Sequence, residues 1–417
     1  MCGIAGIVPR LATDPESLNK IVRRMTASLV HRGPDDEGFF IEPSIALGMR
    51  RLSIIDIAGS RQPINSADGN LAIVFNGEIY NYRGLRDELT KAGRSFQTSG
   101  DTEVVLQAYS VWGEDGIRKL EGMFALAIWD KKAQTLTLAR DWFGQKSIYF
   151  AESQLGWLFA SEPKAILASA QIERGIDLQT LSHYMTLRYL PGDGTLFAGV
   201  KKVLPAHMVK VTAIDRHFQK LWTPRYGPKH EDGEAEVLDS LDSILKDVVA
   251  SHLMSEVPLG AFLSGGMDSS TVVAYAALAL ETPLNTFSMG VNVESQSELH
   301  WAREVAMRYH THHVERVITP DLASLVPKMV AALDEPVDPF AAGVYVVSEI
   351  TAQHVTVALG GDGGDELFAG YDRYLGQQLA ETYARLSARL RRQVLRPLLK
   401  LVPEGYGYKV WRLSSGG

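Results

Sequence analysis

The stretch CGIAGIV at residues 2–8 decides how the first half of the chain folds. Its apolar residues and glycines follow one another without a charge, which predicts a buried strand. The strand starts at Cys2, the only cysteine among 417 residues. A single cysteine excludes an internal disulfide framework and a multi-cysteine zinc site, and it indicates a reducing, cytoplasmic compartment.

The sequence around this stretch predicts a mixture of strands and helices. Helical spacing of apolar residues predicts helices over residues 17–29 and 102–120. Apolar or alternating segments bounded by Gly, Pro, Asn and Asp predict further strands. These strands cover residues 44–57, 71–80, 123–130, 135–141 and 148–160. The first half is therefore expected to be an α+β domain, with sheets flanked by helices.

The pattern changes after about residue 225, where strands and helices alternate. Strands are predicted at 257–263, 284–291, 312–318 and 355–359, with helices at 234–253, 269–280, 297–309, 321–333 and 341–353. This rhythm is typical of a doubly wound parallel sheet. Residues 216–231 have a mixed composition and are interpreted as the linker. The chain length suits two domains, predicted at 1–215 and 216–417.

The composition is that of an ordinary globular protein, with 46% apolar and 22% charged residues. A net charge of −7 predicts no nucleic-acid partner and no binding to an anionic membrane. The longest dense apolar run, residues 272–280, is too short to span a bilayer, and the N-terminus lacks the features of a signal peptide. An arginine-rich helical pattern at 373–401 is interpreted as a solvated face, because no stacking aromatic residues interleave the arginines.

Cys2 is a candidate nucleophile because of its position. Removal of Met1 would leave a free α-amine on the same residue as the thiol. An α-amine has a pKa of about 7.7–8.0, so it can act as the base that activates its own side chain. The alternative is that the only cysteine merely happens to be the second residue.

Further motifs in the first half resemble class II glutamine amidotransferases, and in particular the glutaminase domain of glutamine-hydrolysing asparagine synthetases. Beside MCGIAGI at the N-terminus, the motifs are HRGPD at 31–35, RLSI at 51–54, NGEIYN at 76–81 and SGD at 99–101. Their order along the chain is the order seen in that family. The resemblance implies an N-terminal nucleophile domain, an αββα sandwich, in which Cys2 attacks the carboxamide of glutamine.

The chemistry of these residues agrees with that role. Arg51 can hold the α-carboxylate of glutamine bidentately, and Glu78 and Asp101 can hold its α-ammonium. The side chain of Asn76 and the backbone N–H of Gly77 can form an oxyanion hole. The resemblance adds four further residues to the predicted glutamine site: Leu52, Ser53, Ile54 and Ile55.

Each of these residues also has a plainer interpretation. The Asn-Gly pair is a strong hairpin signal, and Arg51 could form a surface ion pair. His31 and Arg32 are expected to brace the site rather than to take part in the chemistry.

The second half contains the sequence SGGMDSS at residues 264–270, between a predicted strand and a predicted helix. At this position Gly265 and Gly266 allow backbone N–H groups to approach phosphate, and Ser264 and Ser269 offer hydroxyl groups. Asp268 suits this site if it holds Mg²⁺ against the phosphates. The alternative is an ordinary strand–helix turn with an N-cap residue. The segment is not a Walker A loop and resembles the pyrophosphate-binding loop of ATP pyrophosphatases.

A second glycine-rich segment, GGDGGDE at residues 360–366, follows the last predicted strand. Carboxyl ends of parallel strands are where such sheets bind ligands. The segment resembles the part of asparagine synthetases that closes over ATP and the activated carboxylate. The resemblance implies that Gly360 and Gly361 lie near the nucleotide and that Asp365 is a second Mg²⁺ ligand. It also places the adenine between two side chains, Phe262 and Met289.

Asp362 departs from the pattern, because asparagine synthetases usually carry glutamate at this place. The residue is tied to the acyl-adenylate and to attack by ammonia in the family. The carboxylate is kept but is one methylene shorter, so the identity of the acceptor stays open.

The two resemblances together predict an α/β ATP-pyrophosphatase domain after the glutaminase domain, with ATP and Mg²⁺ as cofactors. The expected substrates are glutamine, ATP and aspartate, and the family implies a protected route for ammonia between the sites. Two alternatives are kept. One is amidation of another carboxylate, such as a surface sugar acid. The other is a regulatory protein with an incomplete second domain, because family members are usually longer. Family members are often dimers, so a homodimer is also compatible with the resemblance.

Overall fold

The computed structural model describes residues 1–229, 231–291, 298–319, 321–335, 341–395 and 397. The elements of the first 220 residues are β1 (Gly3–Pro9), α1 (Pro15–Ala27), β2 (Asp36–Glu42), β3 (Ile45–Arg51), β4 (Ile64–Asn65), β5 (Leu71–Ile79), α2 (Tyr82–Lys91), α3 (Asp101–Trp112), α4 (Glu114–Arg118), β6 (Gly122–Asp130), β7 (Thr135–Arg140), β8 (Tyr149–Glu152), β9 (Gly156–Ala160), α5 (Pro163–Ala168), α6 (Leu178–Leu187), β10 (Val200–Lys202), β11 (His207–Val211) and β12 (Arg216–Lys220).

The described elements that follow are α7 (Glu234–His252), β13 (Leu259–Phe262), α8 (Met267–Ala279), β14 (Asn285–Val291), α9 (Leu299–Arg308), β15 (His312–Ile318), α10 (Leu322–Leu333), α11 (Ala341–Thr351), β16 (Val357–Leu359), α12 (Gly364–Phe368), α13 (Asp372–Arg385) and α14 (Ala388–Leu390), with a π-helical turn at Arg391–Leu395. No helix in the described parts of the chain is both long enough and apolar enough to cross a membrane.

The first half is a sandwich of two six-stranded sheets. One sheet has the order β10-β8-β9-β1-β3-β2 and the other has the order β12-β11-β7-β6-β5-β4. Neighbouring strands are antiparallel in both sheets. Side chains alternate across each strand. Ile4 of β1 and Val74 of β5 point into the space between the sheets, whereas Ile7 and Ile73 point to the outer faces.

Helices cover the outer faces of both sheets, which completes the four-layer αββα order. Helices α1 and α5 pack on the sheet that contains β1, and α2 and α3 pack on the sheet that contains β5. Helix α1 shows why the sequence folds this way. Its cap residue Asp14 accepts a hydrogen bond from the backbone N–H of Ser17, and Pro15 is its first residue. Its buried residues share one face: Leu18, Ile21, Val22 and Met25.

The second half contains a four-stranded parallel sheet of order β15-β14-β13-β16. The chain adds β14 and β15 on one side of β13 and then returns to add β16 on the other side. The loops after β13 and β16 therefore leave the sheet at the point where the strand order reverses, which is where open parallel sheets bind ligands. The predicted fold class, an αββα domain followed by a doubly wound parallel sheet, is confirmed.

Several element boundaries differ from the predictions. Residues 216–220 form β12, which pairs with β11, so the first sandwich extends beyond the predicted boundary at residue 215 and into the predicted linker. The predicted strand 148–160 is the hairpin β8–β9, because Ser153 Oγ closes a turn on Gly156. The predicted strand 44–57 ends at Arg51, and residues 52–57 are a loop.

Two predicted helices are also shorter than expected. The helix predicted at 102–120 is divided at Gly113 into α3 and α4, because this residue has a φ of +59°. The helix predicted at 373–401 ends at Arg385, and Ser387 caps the next short helix. Residues 396 and 398–401 of that prediction lie outside the described residues, as does Ser297, the predicted start of another helix.

Candidate active sites

Cys2 lies immediately before β1, the strand between β3 and β9. Its side chain is partly buried and packs at the edge of the core between the two sheets. The backbone N–H of Leu52 lies 3.4 Å from Cys2 Sγ. Burial raises the pKa of the Cys2 thiol, so the nucleophilic thiolate forms only with the help of a base.

A buried ion pair braces the backbone at Cys2. Arg32 Nε donates to the carbonyl oxygen of Cys2 at 2.9 Å, and its terminal nitrogen lies 2.7 Å from Glu162. His31 Nε2 lies 3.0 Å from the other oxygen of the same carboxylate. Burial alone would raise the pKa of Glu162. The hydrogen bond from Arg32 and its positive charge outweigh burial, so this pKa lies below its usual range. The contacts of His31 and Arg32 are those expected of bracing residues.

Asn76 and Gly77 lie inside β5, paired with β6, and not at a hairpin turn. This excludes the interpretation of Asn76-Gly77 as a hairpin signal. Asn76 is 1% exposed, and its Nδ2 is buried without a hydrogen-bond partner among the described residues. A buried amide donor that lacks a partner is costly, which points to a ligand atom that it can serve. A side chain at position 77 would clash with the backbone of β6, because a Cβ there would lie 2.2 Å from Met123 O.

Glu78 and Asp101 are buried carboxylates on neighbouring elements, β5 and α3. The pKa of Glu78 is raised to about 7, mainly by burial and in addition by the negative charge of Asp101. Burial also raises the pKa of Asp101 to about 6, opposed by a hydrogen bond from the backbone N–H of Ile79. Two desolvated carboxylates favour a cation between them, since a positive charge would relieve both shifts.

Arg51 is buried at the end of β3, so the interpretation as a surface ion-pair residue is wrong. Its guanidinium donates to three carbonyl oxygens of the loop that follows, those of Ile55, Asp56 and Ile57, at 3.3, 2.8 and 2.9 Å. A guanidinium has five N–H donors, so two remain for a carboxylate. Ser53, another predicted glutamine residue, donates its backbone N–H to Asp35 at 2.8 Å.

Two charged groups near Cys2 were not predicted as site residues. Lys146 is buried, and burial lowers the pKa of its ammonium group. Its segment, residues 144–147, lies between β7 and β8 and carries no local pattern that marks a site residue. Burial likewise lowers the pKa of the Met1 α-amine to about 6, although the Met1 side chain is exposed.

One cavity of about 850 Å³ joins the two halves of the molecule. On the first half it is lined by predicted glutamine residues: Cys2, Arg51, Leu52, Ile54, Ile55, Asn76, Gly77, Glu78 and Asp101. On the second half it is lined by Phe262 and Asp362 and by residues of α11 and β16: Val344, Ser348, Thr351, Val357 and Ala358. We refer to Cys2, Arg51, Asn76, Glu78 and Asp101 as the Cys2 site. The cavity therefore reaches from the Cys2 site to Asp362.

The loop at 264–270 connects β13 to α8. Gly265 has a φ of +88°, and a Cβ there would lie 2.8 Å from both Ala302 N and Trp301 Cβ, so this position requires glycine. The Oγ atoms of Ser264 and Ser269 lie 2.9 Å apart and bind each other. The segment leads into a helix, as an ordinary strand–helix turn would. The N-cap residue of this helix is Gly266, which has no side chain to form a capping hydrogen bond.

The loop at 360–366 lies against the first one. A Cβ on Gly361 would lie 2.8 Å from Ser269 N, and a Cβ on Gly364 would lie 2.4 Å from the Asp268 carboxyl carbon. The two loops, called the nucleotide loops below, are thus in contact through glycines that leave no room for side chains. Asp362 is exposed, whereas Asp268 and Asp365 are partly buried.

The nucleotide loops fit a magnesium ion that is held partly by phosphate. The donor set is two carboxylates, Asp268 and Asp365, on loops that meet at one edge of the sheet. Mg²⁺ prefers oxygen ligands and usually takes only one or two protein carboxylates beside phosphates and water.

Comparisons with known proteins cover both halves. The family model described as a glutamine amidotransferase domain matches residues 1–222, and the one described as asparagine synthase matches residues 240–413. The chain is 38% identical over 410 residues to asparagine synthetase (glutamine-hydrolyzing) 1 of Bacillus subtilis (strain 168). The matched region covers 97% of this chain and 64% of the relative.

Two further relatives show the same pattern. A putative asparagine synthetase (glutamine-hydrolyzing) of Mycobacterium bovis is 36% identical, with 97% of this chain and 65% of the relative covered. Putative asparagine synthetase (glutamine-hydrolyzing) 2 of Methanocaldococcus jannaschii is 33% identical, with 94% and 79% covered. The chain therefore spans just under two thirds of the length of the first two relatives.

Proposed function

Because this chain belongs to the glutamine-hydrolysing asparagine synthetase family, we propose that it hydrolyses glutamine at Cys2 and transfers the ammonia to a carboxylate activated by ATP. The proposed acceptor is aspartate, and the products are glutamate, asparagine, AMP and pyrophosphate. The observation that carries the proposal is the single cavity lined by both Cys2 and Asp362.

The Cys2 site provides the groups that amide hydrolysis needs. Glutamine would bind with its carboxylate on the two remaining donors of Arg51 and its ammonium between Glu78 and Asp101. Cys2 Sγ attacks the side-chain amide carbon, and Asn76 Nδ2 and the Gly77 N–H stabilise the oxyanion that develops. Collapse of this intermediate releases ammonia and leaves a glutamyl thioester, which water hydrolyses to glutamate.

The base is proposed to be the α-amine of Cys2 after removal of Met1. The surroundings of the N-terminus support this, because burial of the Met1 amine already lowers its pKa to about 6. Similar burial would keep more of the Cys2 α-amine neutral at pH 7 than in a free chain, so that it can accept the thiol proton. It then returns a proton to the departing ammonia.

The nucleotide loops are proposed to bind ATP. Gly265, Gly266, Gly360 and Gly361 would allow backbone N–H groups to approach the phosphates, and Ser264 and Ser269 would add hydroxyl donors. Phe262 and Met289 are the proposed adenine contacts. Asp268 and Asp365 would hold Mg²⁺, which when bound neutralises phosphate charge and assists departure of pyrophosphate.

The cavity shared by the two sites would give ammonia a short path from Cys2 to the acceptor. Free ammonia in water at pH 7 becomes ammonium, which is not a nucleophile, so leakage into solvent would waste it. Asp362 is proposed to stand where ammonia meets the acyl-adenylate, since it lines the cavity and belongs to a nucleotide loop.

The first test measures pyrophosphate release from Mg-ATP with ammonium chloride, with and without aspartate. Ammonium bypasses the Cys2 site, so this assay reports only on the nucleotide loops. Release that depends on aspartate is the expected result. Release that needs a different carboxylate would mean that the acceptor is not aspartate. This is the second candidate function, because Asp362 is one methylene shorter than the glutamate usual at this place. No release with any carboxylate would contradict the synthetase part and favour the regulatory alternative.

The remaining expectations stay predictions. They are a cytoplasmic location, the absence of a nucleic-acid partner and a homodimer. For the domain boundary we propose the segment between β12 and α7, because β12 still belongs to the first sandwich.

A further inference from the structure

The loop after β3 has an unusual conformation that depends on its own polar contacts. Asp56 has a φ of +49°, in the left-handed region that favours glycine. Its carboxylate accepts hydrogen bonds from Ser60 Oγ at 2.7 Å and from the backbone N–H groups of Ser99 and Gly100 at 2.9 and 3.1 Å. Burial raises the pKa of Asp56, but these hydrogen bonds outweigh that effect and leave the pKa below its usual range. The loop is thereby tied to the segment that leads into Asp101.

The same loop surrounds Arg51 with its carbonyl oxygens. Because Ile55, Asp56 and Ile57 all accept from the guanidinium, the loop conformation decides where the remaining two donors point. Ile54 and Ile55 also line the cavity beside Cys2. A shift of this loop would therefore move the groups proposed to bind the carboxylate of glutamine.

Glu256, a residue of the second half, forms hydrogen bonds with this loop. One carboxylate oxygen of Glu256 accepts from the backbone N–H of Asp56 at 2.9 Å, and the other accepts from that of Ile57 at 3.4 Å. The backbone N–H of Glu256 donates to the carbonyl oxygen of Ile54 at 3.0 Å. Three hydrogen bonds thus join Glu256 to three residues of this loop, two of which, Asp56 and Ile57, also accept from Arg51.

The segment that carries Glu256 is anchored on the first half. The ring of His252, at the end of α7, stacks on Tyr80 with a centroid distance of 3.8 Å. Met254 packs against the core between the β5 sheet and its helices. Pro258, on the other side of Glu256, accepts backbone hydrogen bonds from Thr356 and Val357 of the parallel sheet. Glu256 is therefore held between the two halves and cannot shift with the loop alone.

From these contacts we infer that Glu256 is a positioning residue for glutamine: the second half supplies the carboxylate that holds the Arg51 loop in its binding conformation. The inference rests on the proposed function, because it assumes that glutamine binds at Arg51. Glu256 does not touch the reacting atoms, so its loss should weaken binding of glutamine more than it slows the chemical step.

The test is glutamine hydrolysis by the full chain, measured as glutamate release over a range of glutamine concentrations. In Glu256→Ala, KM is expected to rise about three- to tenfold, and kcat is expected to stay within about twofold. Tenfold corresponds to about 1.4 kcal/mol, the size of one hydrogen bond to a charged group. Glu256→Gln retains one acceptor oxygen and should show a smaller rise. The matched control is Glu281→Gln, an exposed carboxylate of the same half, for which KM should not change.

A second measurement does not depend on activity. Hydrogen exchange of the backbone amides of Asp56 and Ile57 should be faster in Glu256→Ala than in the parent chain, and unchanged in Glu281→Gln. Unchanged exchange in Glu256→Ala overturns the inference, and so does an unchanged KM. If the parent chain releases no glutamate, the proposed function fails at the Cys2 site, and amide exchange alone then decides whether Glu256 holds the loop.

Discussion

The Cys2 site and the nucleotide loops differ most in how far water reaches their charged groups. At the Cys2 site, Arg51, Glu78 and Asp101 are each less than a tenth exposed. In the nucleotide loops Asp362 is exposed, and Asp268 and Asp365 are partly buried. The first site is thus built before any ligand arrives, with buried charged groups in fixed positions, where each of them acts more strongly than it would in water.

The difference follows from the layers that carry each site. Strands β1, β3 and β5 lie inside a four-layer sandwich, so residues at their ends are surrounded by core. The nucleotide loops leave the edge of a four-stranded sheet, where glycines allow a phosphate to approach the backbone. A site that hydrolyses an amide needs polar groups that are already shielded from water, whereas a site for charged phosphates is completed when the ligand binds.

The largest expected effect separates the two sites outright. Cys2→Ala removes the nucleophile and should lower glutamine hydrolysis by about 10⁴-fold or more. Synthesis with ammonium chloride should continue at the parent rate, because the nucleotide loops do not use the thiol. Parallel glutaminase and pyrophosphate assays check this, and equal loss of both activities would contradict two separate sites.

The reverse experiment changes the nucleotide loops. Asp268→Asn removes a proposed Mg²⁺ ligand and should lower ATP-dependent pyrophosphate release by about 10²- to 10³-fold, the loss of several kcal/mol of charge stabilisation. Glutamine hydrolysis without ATP should not change. Titration with Mg²⁺ should show weaker metal dependence in the variant, and parent-like pyrophosphate release would exclude the metal role.

Asn76 tests whether the unpartnered amide is catalytic. Asn76→Ala removes Nδ2 and should lower kcat for glutamine about 10²- to 10³-fold, with a much smaller change in KM, because the oxyanion exists only in the transition state. Thermal unfolding of the variant is the control, since Nδ2 has no hydrogen-bond partner to lose among the described residues. A rise in KM with unchanged kcat would assign Asn76 to substrate binding instead.

The smallest expected effect is on pH dependence. Glu78 and Asp101, with pKa values of about 7 and 6, must be ionised to hold the ammonium of glutamine. For glutamine, kcat/KM should therefore fall about tenfold per pH unit below pH 7 and more steeply below pH 6. Glu78→Gln should remove the upper step. A flat profile between pH 8 and 6 would mean that these carboxylates do not bind the ammonium.

The same two pKa values affect folding with the opposite sign. The folded state keeps the protons of Glu78 and Asp101 to higher pH than the unfolded state does. Their contribution to the free energy of unfolding therefore falls as pH rises from their ordinary pKa values to about 7. Ionisation of these two buried carboxylates near neutral pH therefore lowers the stability of the folded state.

Local sequence patterns predicted most of the fold. Uninterrupted apolar runs with glycine indicate buried strands such as β1, and the alternation of strands and helices indicates the parallel sheet. These patterns did not predict β12, since Arg216–Lys220 has few apolar residues. The segment is a strand only because it pairs with β11.

The candidate sites were predictable to the extent that their residues lie close together in the chain. Asn76, Gly77 and Glu78 are consecutive, and so are the members of each nucleotide loop. Lys146 and Glu162 were missed because a lysine in a turn and a glutamate before a helix have no distinctive local pattern. Glu162 binds Arg32, 130 positions away in the chain, and Lys146 interacts electrostatically with Glu78 and Cys2.

Cys2 as the second residue, the Asn-Gly-Glu run and the two glycine-rich loops are properties of the amino-acid sequence. Together with the family resemblance, they predict an amide-hydrolysing site and a phosphate site. Only the tertiary structure joins these sites by one cavity and places Glu256 on the loop around Arg51. The physical reason is distance along the chain. Positions 56 and 256 share no local pattern, and their hydrogen bonds exist only because the two halves of the chain pack together.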